Sequence, residues 1–147
     1  MKTKVLMVLA VGLLLAADDK EDAARKELEK LQGTWEMAAL EVEGQPVPAE
    51  KLQGTTLLIK GDRYIVKVKD QTYETIITLD PTKKPKTIDM VFLDGPNKDK
   101  VHRGIYELEG DTFKLCRGLG PDRERPTEFA TWPDTGVFLV VWKRQAK

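Results

Sequence analysis

The stretch Leu31-Gln32-Gly33-Thr34-Trp35 divides this chain into two parts that differ in the spacing of their apolar residues. Before it, apolar residues recur at the spacing of a helix, and after it they alternate with polar residues as in a β-strand. Gly33 can adopt the left-handed conformation that ends a helix, and Trp35 is large enough to plug one end of a barrel. The stretch therefore predicts a helix that runs directly into the first strand of a sheet.

The segment that leads into this stretch, residues 18–31, predicts one helix. An aspartate at its start can cap it, and acidic residues crowd its first turn, where the helix dipole favours them. Ala24, Leu28 and Leu31 form a narrow apolar stripe at positions i, i+4 and i+7. We expect this helix to lie against a barrel and to cover one end of it.

Residues 1–17 have the pattern of a secretory signal peptide. A basic start (residues 2–4) precedes an apolar run (residues 5–15), and two alanines follow it. The run is shorter than the ~20 apolar residues that a membrane-spanning helix needs. A buried N-terminal strand or helix is the alternative. The pattern favours export to the periplasm, the cell envelope or the medium, with residues 18–147 as one domain that has no membrane span.

Beyond Trp35, eight short segments alternate between apolar and polar residues and are separated by Gly- and Pro-bearing turns. Regular short strands of this kind are typical of an all-β barrel or sandwich. The candidates are Thr34–Glu43, Thr55–Lys60, Arg63–Lys69, Thr72–Leu79, Lys86–Leu93, Arg103–Glu109, Thr112–Arg117 and Val137–Lys143. Thr127–Trp132 is a further short candidate. The last strand is apolar on both faces, which predicts a cover on its outer side, and the N-terminal helix is the nearest candidate.

Two hairpins can be tested for register from the sequence alone. If Gly110-Asp111 and Gly61-Asp62 are two-residue turns, apolar side chains meet on one face of each hairpin and charged side chains meet elsewhere. A slip of one residue would place Leu108 against a charged side chain. The predicted pairs are Leu108–Phe113, Tyr106–Leu115, Glu107–Lys114, Ile59–Tyr64, Leu57–Val66 and Lys60–Arg63.

Six motifs occur together in the chain. They are LQGTW (31–35), GQPVP (44–48), IKGDRY (59–64), DPTKKPKTIDM (80–90), GIYELEGDTFKLC (104–116) and ERPTEF (124–129). In this combination the chain resembles a lipocalin-like domain family of uncharacterised function, found chiefly in planctomycete bacteria. The resemblance implies an all-β fold, namely an eight-stranded antiparallel up-and-down barrel with one N-terminal helix.

The resemblance also implies structural roles for Gly33, Trp35 and a cation near the C-terminus. In lipocalins the tryptophan of the first strand packs beneath a basic residue, and Arg144 or Lys143 occupies that position here. A guanidinium over an indole face contributes ~0.5–2 kcal/mol and would close the narrow end of the barrel. Many lipocalins are braced by disulfides, whereas this chain has one cysteine, so their ligands are not carried over.

The composition excludes several classes of function. Lys and Arg number 24, as do Asp and Glu, and removal of residues 1–17 with two lysines leaves 22 against 24, a net charge of −2. A protein that binds nucleic acid usually carries a basic excess. The chain has no serine, which excludes serine nucleophiles, and one histidine and one cysteine are too few for a typical metal site. We therefore predict no nucleic-acid partner, no metal and no cofactor.

Cys116 and His102 are the one candidate catalytic pair. In the predicted register Cys116 lies opposite Ile105, whereas His102 shares its face with Tyr106. The two side chains then point to opposite sides of the sheet. We therefore expect an inert thiol and no enzymatic activity.

Tyr64, Tyr73 and Tyr106 are a more informative group, because all three fall on the inward-facing phase of their strands, together with Met90 and Phe113. A small eight-stranded barrel is either filled by side chains or holds one small ligand, and hydroxyls in a mostly apolar cavity would orient that ligand. We predict a monomer that binds a small apolar molecule non-covalently through these five residues. The alternative is a filled barrel that serves as a protein-interaction or structural module of the cell envelope.

Overall fold

The computed structural model describes residues 19–146, so the predicted signal peptide lies outside the described residues. The first element is the helix α1 (residues 19–31), and nine strands and one turn of 3-10 helix (Ala49–Lys51) follow it. The strands are β1 (Gly33–Val42), β2 (Gln45–Pro46), β3 (Thr56–Lys60), β4 (Arg63–Val68), β5 (Gln71–Asp80), β6 (Lys86–Phe92), β7 (Val101–Glu109), β8 (Thr112–Gly118) and β9 (Val137–Arg144).

Eight of these strands form a closed antiparallel barrel. From β3 to β9, each strand pairs with the next, and β1 pairs with both β3 and β9, which joins the first strand to the last. A bulge between Met37 and Ala39 bends β1 along β9, and the two-residue β2 pairs only with the end of β1. The predicted fold class is confirmed, and a closed barrel with one helix is consistent with a lipocalin-like fold.

Both predicted hairpin registers are also confirmed. Every pair expected around the turns at Gly61-Asp62 and Gly110-Asp111 is a Cα partner pair in the barrel. The side chains that alternate inward form one core, because successive residues of a strand point to opposite faces. The fully buried members of this core include Trp35, Phe113 and Trp142.

The two ends of the barrel are built differently. At the closed end lie α1, the two hairpin turns at 61–62 and 110–111, and the connection 81–85. At the opposite end, which we call the mouth, lie the turn at 69–70, the connection 93–100 and the loop 119–136. Inward-facing residues near the end of β6 or β8, or near the start of β7 or β9, therefore lie at the mouth.

The loop 119–136, which we call the strap, folds back over the outside of the barrel. Arg125 donates to the carbonyl oxygen of Gly104 at 2.8 Å and pairs with Asp89 at 2.7 Å. The thiol of Cys116, on the outer face of β8, lies 3.8 Å from the carbonyl oxygen of Ala130. The strap therefore lies on the outer side of β6, β7 and β8, whereas α1 makes its contacts at the closed end.

The prediction of a strand at Thr127–Trp132 is wrong. This segment belongs to the strap, and its polar groups bond to the ends of other elements instead of forming a ladder. The Thr131 hydroxyl donates to Glu41 at 2.6 Å and accepts from the backbone N–H of Gly44 at 2.8 Å. These bonds hold the segment in place without a neighbouring strand.

Candidate functional site

The five residues predicted to contact a ligand lie at different depths. Tyr64, Met90, Tyr106 and Phe113 are all buried in the core of the barrel. Tyr73 is 45% exposed, because it lies near the start of β5 at the rim of the mouth. The structure therefore brings four of these side chains together inside the barrel and leaves the fifth at its edge.

The hydroxyls of the two buried tyrosines are engaged by the protein itself. Tyr106 donates to the Glu27 carboxylate at 3.2 Å, and the indole N–H of Trp142 donates to the Tyr64 hydroxyl at 2.9 Å. Burial raises the pKa of both phenols above its usual value, and the Glu27 carboxylate raises the pKa of Tyr106 further. Both hydroxyls therefore stay protonated and take part in the packing of the core.

Arg144 and Trp35 close the end of the barrel at which α1 docks. The guanidinium carbon of Arg144 lies 4.2 Å from the centre of the Trp35 ring, whereas Lys143 is exposed on the outer face. The same guanidinium donates to the carbonyl oxygens of Lys30 at 2.7 Å and Gln32 at 2.8 Å. Because the last carbonyls of a helix have no partners within it, Arg144 satisfies groups that would otherwise be unpaired.

The chain at the end of α1 has the shape that these contacts require. The indole N–H of Trp35 donates to the carbonyl oxygen of Leu31 at 3.0 Å. Gly33 has a φ of 118°, a conformation that side chains with a Cβ rarely adopt. A Cβ at this position would lie 3.5 Å from Nη1 of Arg144. Gly33 therefore allows the sharp exit from the helix beneath the arginine.

Glu27 is a buried acid at the closed end, and the sequence analysis did not single it out. Its carboxylate pairs with Lys86 at 2.6 Å and with Lys30 at 3.8 Å, in addition to the bond from Tyr106. The side chain is 6% exposed. The closed end thus contains a buried charge whose opposite charges are in place.

Arg117 lies inside the mouth, because it shares the inward-facing phase of β8 with Leu115. Its guanidinium carbon is 4.4 Å from the centre of the Phe138 ring and 5.6 Å from that of Phe92. One Nη donates to the carbonyl oxygen of Gly118 at 2.8 Å, while the buried Nε has no hydrogen-bond partner. Among the described residues, no carboxylate forms an ion pair with this arginine.

His102 is the second polar side chain of the mouth and is 1% exposed. Neither ring nitrogen has a hydrogen-bond partner, and the ring centre lies 4.7 Å from that of Phe92. Burial and then the charge of Arg117 lower the pKa of His102 below its usual value, and the nearby backbone of Lys100 raises this pKa by less. At neutral pH the ring is therefore uncharged and carries one donor and one acceptor that are not used.

Gly104 faces Arg117 across the β7–β8 pair. It is the Cα partner of Arg117, and a Cβ at this position would lie 2.8 Å from the Cβ of Arg117 and 2.9 Å from the carbonyl oxygen of Cys116. Contacts of that length would force the two strands to shift. The glycine therefore allows β7 and β8 to lie close together at this point.

Burial lowers the pKa of Arg117 to about 10, so the guanidinium remains charged at neutral pH. We call Arg117, His102, Phe92 and Phe138 the mouth cluster. The two phenylalanines are half-buried, whereas Trp35 at the closed end is 0% exposed. The cluster combines one unpaired cation, one unused donor and accessible aromatic surface, which is an arrangement suited to an anion attached to an apolar body.

Sequence reasoning missed Arg117, Phe92 and Phe138, although one signal was available. Arg117 follows Phe113 and Leu115 at intervals of two, so the predicted strand already placed a cation on the inward phase. By the same rule His102 faces the interior and Cys116 the outside, and the structure has them on opposite sides of the sheet. Burial raises the pKa of the Cys116 thiol to about 11, which makes it a weak nucleophile.

Clefts of about 350 to 790 Å³ open on the outside of the described chain, and those clefts are lined neither by Tyr64, Met90 or Phe113 nor by the mouth cluster. Within residues 19–146, no three His, Cys, Asp or Glu side chains lie close enough to hold a metal ion. No helix in that range is both long and apolar enough to cross a bilayer. Comparison of the chain with models of protein families, with curated proteins and with solved structures found no match.

Proposed function

We propose that this domain binds a small, largely apolar molecule non-covalently at the mouth of the barrel. One observation carries the proposal: among the described residues, the inward-facing aromatic side chains that reach solvent lie at this end. Phe92 and Phe138 are half-buried and Tyr73 is 45% exposed, whereas Trp35 and Phe113 at the other end are 0% exposed. Small barrels that bind ligands do so through an open end lined by apolar and aromatic side chains with a few polar groups.

The residues predicted from the sequence would contribute unequally. A ligand entering the mouth would first meet Tyr73 at the rim and then Met90 and Tyr64, which form the floor below the mouth cluster. Phe113 and Tyr106 pack against each other at a ring distance of 6.1 Å near the closed end. We propose that these last two support the floor rather than touch the ligand.

The test is to extract the purified protein with organic solvent and to search the extract for a co-purifying lipid by mass spectrometry. Thermal-shift measurements with a panel of neutral and charged lipids follow, for the wild type and for Phe138→Ala. We expect at least one compound to raise the melting temperature of the wild type and to do so less in the variant. An empty extract together with no shift from any compound would contradict ligand binding.

The second candidate function is a filled barrel that acts as a protein-interaction or structural module. It is favoured by two large apolar side chains on the strap, Trp132 at 50% and Leu119 at 44% exposure. If the strap docks on a partner in the envelope, Trp132→Ser will release the protein from envelope fractions while its melting temperature stays unchanged. Retention of both variant and wild type in the same fraction would argue against this function.

We also propose that the chain is exported and belongs to the lipocalin-like family that it resembles, as a monomer. The support is the pattern of residues 1–17, the six motifs on which the resemblance rests and a barrel compatible with that fold. Mass spectrometry of the protein recovered from the periplasm or medium of an expressing bacterium would give the mature N-terminus, and light scattering would give its mass in solution. An uncleaved chain that remains in the cytoplasm would contradict export.

A further inference from the structure

The mouth cluster contains charged and polar atoms that have no hydrogen-bond partner among the described residues. Buried polar groups in folded proteins are almost always hydrogen-bonded, yet Nε of Arg117 and both ring nitrogens of His102 have no partner among the described residues. We infer that the mouth cluster is a subsite for the carboxylate group of a small amphipathic ligand. The inference rests on the proposed function and names the chemical class of the ligand.

The donor geometry of Arg117 fits a carboxylate. A guanidinium presents a planar fork of N–H groups that matches the two oxygens of a carboxylate. One Nη N–H is used by the carbonyl oxygen of Gly118, which leaves Nε and the remaining Nη donors for an incoming anion. His102 lies in the same cluster, stacked at 4.7 Å on Phe92, and its ring N–H offers a further donor.

The surroundings of the arginine argue for an anion with an apolar body. Phe92 and Phe138 lie at 5.6 Å and 4.4 Å from the guanidinium carbon, and both are half-buried at the end of the barrel that reaches solvent. An inorganic anion would gain nothing from these rings, whereas an alkyl or aryl group attached to the carboxylate would cover them.

A purely structural role for this charge explains the arrangement less well. Leu115, two residues earlier on the same face of β8, is 1% exposed and fills the core without a polar group. A buried charge without an opposite charge is usually less stable than an apolar side chain of similar size. The barrel nevertheless places an arginine at the next inward-facing position of β8. A ligand that brings the missing negative charge accounts for its presence.

The test compares two probes that share one alkyl chain, decanoate and decan-1-ol, by isothermal titration calorimetry with the full-length mature protein. We expect decanoate to bind the wild type at least about tenfold more tightly, the preference that one charge-assisted pair provides. Arg117→Met should bring this ratio close to one while binding of the alcohol is retained. The matched control is Arg103→Met, which removes the same charge from the exposed outer face of β7 and should leave the ratio unchanged.

A second measurement follows the arginine directly. In ¹⁵N-labelled protein, the Nε–H signal that disappears in Arg117→Met should shift on addition of decanoate and not on addition of decan-1-ol. Equal affinity of the wild type for both probes, or a preference that survives Arg117→Met, would overturn the carboxylate subsite while leaving ligand binding intact. If neither probe binds and no signal shifts, the carboxylate subsite is overturned, and the solvent extract and the wider lipid panel decide separately whether the barrel binds a ligand.

Discussion

The two ends of this barrel each hold a half-buried arginine against aromatic rings. At the closed end, Arg144 lies over Trp35, donates to the carbonyl oxygens of Lys30 and Gln32 and pairs with Asp111 at 3.1 Å. At the mouth, Arg117 lies against Phe138 and has one carbonyl partner and no carboxylate partner among the described residues. The protein supplies a partner for each of the three nitrogens of the first arginine, but for only one nitrogen of the second.

The contrast between the two arginines separates structural from functional charge in a small barrel. A charge that completes a network stabilises the fold, because it neutralises groups that folding has already buried. A charge that is buried without partners costs stability, and proteins retain such groups chiefly where a ligand needs them. Substitutions at the two ends should therefore differ in the size and sign of their effects.

The largest effect is expected from Trp35→Ala at the closed end. Trp35 is 0% exposed and packs on Phe113 at a ring distance of 5.8 Å. Truncation of a large buried aromatic costs about 3–5 kcal/mol because it leaves a cavity. Urea denaturation measures this loss, and Trp132→Ala, at a residue that is 50% exposed, should cost about 0.5 kcal/mol or less. Similar losses for the two variants would show that Trp35 does not close the barrel.

The next effect is expected from Arg144→Met. The substitution keeps an apolar side chain of similar length. It removes the cation over the Trp35 indole and leaves the carbonyl oxygens of Lys30 and Gln32 without their donors. We expect a loss of about 2–3 kcal/mol in the free energy of unfolding, since each of these contributions is of the order of 1 kcal/mol. Arg144→Lys should recover only part of the lost stability, because the compact ammonium lacks the planar fork of donors with which the guanidinium reaches both carbonyls.

The same substitution at the mouth, Arg117→Met, should raise the free energy of unfolding or leave it unchanged. It removes a half-buried charge that lacks a carboxylate partner, and replacing such a charge by an apolar side chain is neutral or stabilising by about 1 kcal/mol. Chemical denaturation in the absence of ligand measures this change. A loss as large as that of Arg144→Met would mean that the two arginines have the same structural role and would remove the basis of the comparison.

The smallest effect concerns His102 and pH. Its folded-state pKa is lowered from the usual 6.5 by burial and by Arg117. The folded protein therefore binds this proton less readily than the unfolded chain, so the contribution of His102 to stability is present above about pH 6.5 and is lost as the pH falls below it. Unfolding measured at pH 7.5 and 5 should show this loss in the wild type and a smaller one in His102→Gln. Identical pH dependence of the two proteins would contradict it.

The fold could be predicted from the sequence because its determinants are local. The alternation along each strand and the glycine turns at 61–62 and 110–111 set the registers, and a slip of one residue would have placed Leu108 against a charge. The strap was partly misjudged, because Thr127–Trp132 has strand-like composition but is held by distant residues such as Glu41. Nothing in the segment itself indicates those partners.

The candidate site was harder to predict because its residues are distinguished by the hydrogen-bond and ion-pair partners that they lack in the folded structure. Glu27 is buried and Arg117 is half-buried, and for Glu27 the sequence indicates only the weaker of its two ion pairs, the one with Lys30 at 3.8 Å three residues further along the helix. Lys86, which neutralises Glu27, lies 59 residues away in the chain. The inward phase of Arg117 was available from the pattern of β8, but the absence of a partner is a property of the three-dimensional structure alone.

The pairing of β1 with β9 has a consequence for folding. The first strand gains its second neighbour only when the eight-residue strand β9 has been synthesised, so the ring stays open until that point. Contacts between such distant segments slow folding. A nascent chain, or one clipped before β9, would present two unprotected strand edges, which are templates for association with other copies. We therefore expect β9 to be the seam whose pairing protects both edges from such association.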